Sequence, residues 1–201
     1  GEVYNHLELR KELEKNGYVF QSHTDTEVIM ASYDFWGVDC LSKFNGMWAF
    51  VIYDRLKDKY FMSRDRFGKK PFYYYKDQEK FIFGSEIKVI LANPDVESKP
   101  NLKFLDSYVQ NGAKEYIKET AFENIFRFDF SSYFEGSLED IFENFNQNKF
   151  WEIKPNLSHE KFDEEKAKEY AKQYYELLED AVRIRLRADV KVGSALSGGL
   201  D

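Results

Sequence analysis

The chain reads as an α+β protein in which antiparallel strands are covered by helices. Three observations predict this. Helical periodicity with cap residues marks two segments before residue 37, and a nearly continuous apolar run over 46–54 is answered across a polar loop by a second strand. Two further short strands then follow before residue 84. At 201 residues, with 43% hydrophobic and 18% aromatic content, the chain has material for one full domain and part of a second. It is far too apolar for disorder. Its 19 Phe and 14 Tyr predict an aromatic core.

The elements follow in order. Residues 5–16 read as a helix: Asn5 and Glu8 have capping-box spacing, Leu9 and Leu13 share a face, and Gly17 is a stop. A second helix begins near Asp25, with Val28, Ile29, Tyr33 and Trp36 on the helical repeat. The run 46–54 reads as one strand buried on both faces, Arg55-Leu56-Lys57-Asp58 as its loop, and 59–64 as its hairpin partner. Strands over 72–76 and 80–83, joined through Asp77-Gln78-Glu79, complete a meander. Between the hairpins, residues 64–70 carry four cations in seven positions; a solvated turn with an Arg–Asp pair is the stronger expectation, and an acidic ligand the weaker.

Further along, 102–110 reads as a helix with Leu105 and Tyr108 inward, and the acidic, asparagine-rich stretch 138–148 as a surface excursion. Residues 162–187 form the strongest helical pattern. Asp163 caps it, Glu164 and Glu165 fill its first turn, and Arg183, Arg185 and Arg187 complement its end. Tyr170, Tyr174, Leu177, Leu178, Ala181 and Ile184 trace its apolar face. Residues 190–196 read as a buried strand feeding the turn Ser197-Gly198-Gly199-Leu200-Asp201. Paired glycines let the backbone take positive φ and bring successive N–H groups toward an anion, and Asp201 stands where a carboxylate could help hold Mg2+ on a phosphate chain. Alone, such a turn is more often a plain strand terminator.

Composition narrows the partners. A net charge of −7 argues against nucleic acid or an anionic membrane as the main partner. No stretch approaches the ~18 to 20 apolar residues of a membrane span, and the opening Gly1-Glu2-Val3-Tyr4-Asn5-His6 does not read as a signal peptide. Both ends fall inside apparent motifs, which predicts an internal piece of a longer cytosolic protein. The single cysteine, Cys40, excludes an internal disulfide framework and reads as a packing residue. His6, His23 and His159 lack metal-ligand spacing. On the residues alone, Glu2 reads as a helix-start carboxylate and Asp25 as an N-cap before Thr26-Glu27-Val28.

A family resemblance changes those weights. Gly1-Glu2-Val3-Tyr4-Asn5-His6, His23-Thr24-Asp25-Thr26-Glu27-Val28, Phe44-Asn45-Gly46-Met47-Trp48-Ala49-Phe50, Ser63-Arg64-Asp65-Arg66-Phe67-Gly68-Lys69-Lys70-Pro71 and Phe83-Gly84-Ser85-Glu86-Ile87-Lys88 occur in the order seen in class II glutamine amidotransferases. With Leu196-Ser197-Gly198-Gly199-Leu200-Asp201 behind them, they resemble glutamine-hydrolysing asparagine synthetases over nearly the whole chain. The resemblance implies an N-terminal-nucleophile αββα sandwich over 1–153 and, over 162–201, the start of a doubly wound α/β ATP pyrophosphatase domain. It makes 149–153 the strand closing the first half and 154–158 a linker.

The site residues come from the resemblance. It places the nucleophilic cysteine before Gly1 and assigns the backbone N–H of Gly1 to the oxyanion hole. Gly1, Glu2 and Asp25 would bind glutamine, the two acids holding its α-ammonium. Leu196, Ser197, Gly198, Gly199 and Asp201 would bind ATP, with Asp201 on Mg2+. Glutamine hydrolysis would supply ammonia for ATP-dependent amidation of aspartate, releasing AMP and pyrophosphate in the cytoplasm, with a homodimer left open. Three rivals remain: an amidotransferase acting on another carboxylate such as a sugar acid; phosphoribosyl or hexosamine amidotransferases, which share the first-domain motifs but whose second domains do not supply Ser-Gly-Gly-Leu-Asp; and a non-catalytic binding protein on the same fold.

Overall fold

Side chains alternate across each strand, and that alternation sorts the aromatic content into separate layers. The computed structural model describes residues 1–112, 117–155, 161–194 and 198. It divides into two compact units, Gly1–Ile153 and Lys154–Asp201. The first contains β1 (Glu2–Val3), α1 (His6–Lys15), α2 (Asp25–Trp36), α3 (Cys40–Lys43), β2 (Gly46–Met47), β3 (Ala49–Asp54) and β4 (Lys59–Arg64). It continues through β5 (Tyr73–Lys76), β6 (Phe81–Gly84), α4 (Ile87–Leu91), α5 (Leu102–Asn111), β7 (Ile125–Arg127), β8 (Ser132–Gly136), α6 (Leu138–Glu143) and β9 (Asn148–Lys149).

Two antiparallel sheets dominate, ordered β3-β4-β8-β9 and β6-β5-β7, beside the small pair β1-β2. In β4, Phe61 faces a core with Leu9, Leu13, Val28, Tyr33 and Trp48, beneath α1, α2 and α3. Its neighbour Met62 faces the opposite way, into a core shared with Tyr74, Phe128 and Phe134 that joins the two sheets face to face. Along β5, Tyr74 belongs to that inter-sheet core, while Tyr73 and Tyr75 pack on the outer face with Ile90 of α4. The layers therefore run helix, sheet, sheet, helix, a mixed α/β arrangement built on antiparallel sheets.

Several local expectations are revised. The apolar run 46–54 is two strands: Gly46 and Met47 pair with β1, Trp48 stands in a break, and β3 joins the four-stranded sheet. Asn5 occupies the N-cap of α1 but makes no capping bond, because its side chain accepts from Asn45 N and donates to Lys43 O. Thr24, not Asp25, is the N-cap of α2. The 138–148 excursion contains α6, closed by a capping box between Ser137 and Asp140 and anchored by the buried Ile141. The predicted closing strand reduces to Asn148 and Lys149, with no strand over 150–153. In α5, Tyr108 is 49% exposed rather than inward.

In the second unit, α7 (Glu164–Arg185) is capped by Asp163, which accepts from the N–H groups of Glu165 and Lys166. Ile184 is its one buried residue, and Tyr170, Tyr174, Leu177 and Leu178 are exposed. Residues 190–194 carry no strand, and 195–197 lie outside the described residues.

Candidate active site

The site grows from a meeting of backbones. β1 pairs antiparallel with β2, Glu2 opposite Met47 and Val3 opposite Gly46. The two strands approach so closely that a Cβ on Gly46 would lie 2.1 Å from Glu2 O, and one on Gly1 would lie 2.6 Å from Met47 O. Only glycine fits at either position. Tyr4 N donates to Asn45 O at 2.8 Å and the Asn5 amide bridges 43–45, so the strand pair is locked just beyond its end.

The N-terminus of α2 completes the corner. Asp25 Oδ2 accepts from Val3 N at 2.9 Å, which fixes the helix start against β1 within one residue of Glu2. Val3 is fully buried beneath, whereas Glu2 is exposed and Asp25 half-buried. No lysine or arginine among the described residues pairs with either carboxylate, leaving Glu2 and the second oxygen of Asp25 free to accept bonds. Glu27, two residues on, is already committed: it accepts from Ser22 Oγ, Gln21 N and Ser22 N, which holds its carboxyl below the usual range. Gly1, Glu2 and Asp25 are thus brought together.

The 65–70 loop supports this corner from behind, and the expected Arg–Asp pair is replaced by bonds to the backbone. The buried Asp65 carboxylate accepts from the N–H groups of Phe67, Lys69 and Lys70, and from Trp48 N at 3.3 Å. Asp65 N returns a bond to Trp48 O at 2.9 Å. Arg66 donates to the carbonyls of Leu41, Ser42 and Phe44. Both residues hold the segment against which Gly1 packs, and both roles were missed in the sequence. The available signal was Asp65 two residues before Phe67 with Gly68 following, an Asx turn closed at positive φ, here +61°.

Other candidates fall elsewhere. Cys40 is buried in the helix-side core, and burial with the nearby Asp39 pushes its thiol up to about 12. His6 Nδ1 lies 3.0 Å from Val3 O, a backbone tie, and His23 is exposed. His159 lies outside the described residues. No group of three or more His, Cys, Asp or Glu side chains among the described residues is placed to hold a metal. Of the nucleotide turn, Gly198 has φ +78°, while Leu196, Ser197, Gly199 and Asp201 lie outside the described residues. No helix among the described residues is long and apolar enough to cross a membrane.

The corner sets a glycine-lined strand end beside the carboxylates of Glu2 and Asp25, and comparison with known families gives the chain a class. Residues 1–151 match the family described as glutamine amidotransferase domain, and the chain belongs to that family. Residues 173–201 match the family described as asparagine synthase.

Among individual proteins, the chain is 41% identical over its whole length to a Methanocaldococcus jannaschii protein named as a glutamine-hydrolyzing asparagine synthetase, covering 37% of it. It is 35% identical to asparagine synthetase (glutamine-hydrolyzing) 3 of Bacillus subtilis, covering 31% of that protein. The chain therefore spans about a third of these relatives' length. A solved B. subtilis glutamine phosphoribosylpyrophosphate amidotransferase is a more distant likeness, at 18% identity and a TM-score of 0.44 over 69% of this chain and 26% of the other.

Proposed function

We propose that the chain is part of a glutamine-hydrolysing asparagine synthase: residues 1–153 form a class II amidotransferase domain with the N-terminal-nucleophile αββα fold, and 162–201 begin an ATP pyrophosphatase domain. Glutamine hydrolysis supplies ammonia, and ammonia amidates an aspartate side chain activated by ATP, releasing AMP and pyrophosphate in the cytoplasm. The carrying observation is the corner where Asp25 accepts from Val3 N while, among the described residues, Glu2 and the other Asp25 oxygen have no cationic partner. An α-ammonium between those carboxylates would be held by charge-assisted bonds, which places the substrate amide along the β1 edge toward Gly1. There the Gly1 N–H would stabilise the oxyanion that forms when a nucleophile attacks that amide. The resemblance places that nucleophile, a cysteine, before Gly1. Cys40 is not a substitute, since its thiol is buried and neutral at physiological pH.

For the second half, the family match over 173–201 supports ATP as a substrate. The positive φ of Gly198 suits a turn whose N–H groups cradle phosphate. Mg2+ would be held with Asp201, where it would neutralise phosphate charge, and Leu196, Ser197 and Gly199 would complete the nucleotide contacts.

The test is a split between two activities of the longer protein. Glu2→Gln and Asp25→Asn should each lower kcat/KM for glutamine by roughly 30- to 1000-fold, about 2 to 4 kcal/mol of lost transition-state stabilisation. Synthesis from free ammonia should persist. Glu2→Gln is the sharper variant because Glu2 holds no structural bond, whereas Asp25 also anchors Val3. Equal loss of both activities would make the two acids structural.

A further inference from the structure

Two cations of residues 64–70, Arg64 and Lys69, also line a cavity that shares no lining residue with the Gly1–Glu2–Asp25 corner. The cavity, of about 470 Å³, is walled by Arg64, Lys69 and Arg127 and by the rings of Phe67, Tyr73 and Phe130. Its lining contains no acidic residue, in a chain whose net charge is −7. Arg64 is fixed: Nε, Nη1 and Nη2 donate to Lys70 O, Phe128 O and Gly68 O. Gly68 makes that possible, because a Cβ there would lie 3.0 Å from the Arg64 guanidinium carbon. Arg127 is held by Nη1 bonds to Ile117 O and Glu119 O. Lys69 makes no side-chain bond, and none of the three cations forms an ion pair among the described residues.

Asp65 makes no ion pair with these cations, since both its oxygens accept from backbone N–H groups, and its charge reaches Arg64 only through space. Burial holds the Arg64 guanidinium below its ordinary range, with Asp65, Tyr73 and Asp129 opposing that and Arg127 adding to it. Two guanidiniums held rigidly on one wall without an ion-pair partner leave a place for an anion. Phe67 and Phe130, 63% and 42% exposed, leave apolar surface beside it. Volume, charge and aromatic walls together match a metabolite-sized ligand rather than a solvated turn.

We infer that this cavity is a second ligand site, taking a small organic anion whose carboxylate or phosphate lies against Lys69 and Arg127 and whose flat body packs on Phe67, Tyr73 and Phe130. It is separate from the Gly1–Glu2–Asp25 corner and does not depend on the glutamine assignment.

Titrating the chain with benzoate, benzamide and inorganic phosphate, followed by calorimetry and by the ring resonances of Phe67 and Phe130, tests this directly. Benzoate or phosphate should bind saturably, and benzamide, the uncharged isostere, about tenfold or more weaker than benzoate. A preference for benzoate identifies a flat carboxylate as the ligand, and a preference for phosphate a phosphorylated one. Lys69→Met should weaken the anions about tenfold and Lys69→Glu abolish their binding, with thermal unfolding unchanged because Lys69 supports no other group. Equal binding of benzamide and benzoate, anion binding unchanged by Lys69→Glu, or no saturation of either anion below about 10 mM would overturn the site.

Discussion

Cys40 shows how burial decides what a reactive side chain can do. It is 0% exposed, and the core around it pushes the thiol up to about 12, so it contributes packing rather than chemistry at neutral pH. The sign of its pH effect follows from the raised value. The folded state keeps the proton that the unfolded chain releases near pH ~8.5, so the stabilisation is complete below that pH and is lost as pH rises toward about 12. Cys40→Ala should therefore cost about 1 to 2 kcal/mol at pH 7 and cost less at pH 11. Urea unfolding at the two pH values measures the difference, and glutamine hydrolysis by the longer protein should be unchanged. An equal cost at both pH values would contradict the burial argument. The packing role was legible in Cys40's position inside an apolar–polar helical pattern. The use of Asp65 was not, because its partners include Trp48, brought close only when β2 and the loop fold together.

At the scale of elements, period and caps were readable where one segment carries its own signal. Leu9 and Leu13 are buried on α1, and Val28 and Tyr33 on α2, at the predicted spacing. The strands 59–64 and 72–76 were placed within a residue because their alternation is local. Breaks imposed from outside were hidden. Nothing in the apolar run 46–54 marks Trp48 as the change of sheet, since that break depends on the bond from Trp48 N to Asp65 and on β1 pairing with Gly46. The α6 helix carried a local signal, Ser137 three residues before Asp140, which the acidic composition around it obscured. Ser137→Ala removes the acceptor for Asp140 N and the hydroxyl bonded to the Asp140 carboxylate. It should cost about 1 kcal/mol, with a larger loss of amide-exchange protection over 138–143 than in β4. Uniform loss across both elements would deny the cap its local role.

For the molecule as a whole, antiparallel sheets under helices could be read from alternation and caps, while the site could not. Glu2 and Asp25 taken singly look like ordinary helix-start acids, and only the bond from Val3 N to Asp25, across 22 residues of sequence, brings the start of α2 beside Glu2. The family match over 1–151 is what led us to propose glutamine for this corner. Under the proposed function, nitrogen released at the β1–α2 corner is delivered to an ATP-activated aspartate. The most direct measurement uses glutamine labelled with 15N in its side-chain amide, mixed with aspartate, ATP and the longer protein, and follows the label by NMR. Asparagine labelled in its side-chain amide, formed with AMP and pyrophosphate, is the predicted result; Glu2→Gln should suppress it, and added 15N-ammonium should restore it. Label that ends as ammonium, or in a different amide, with aspartate unconsumed would contradict it.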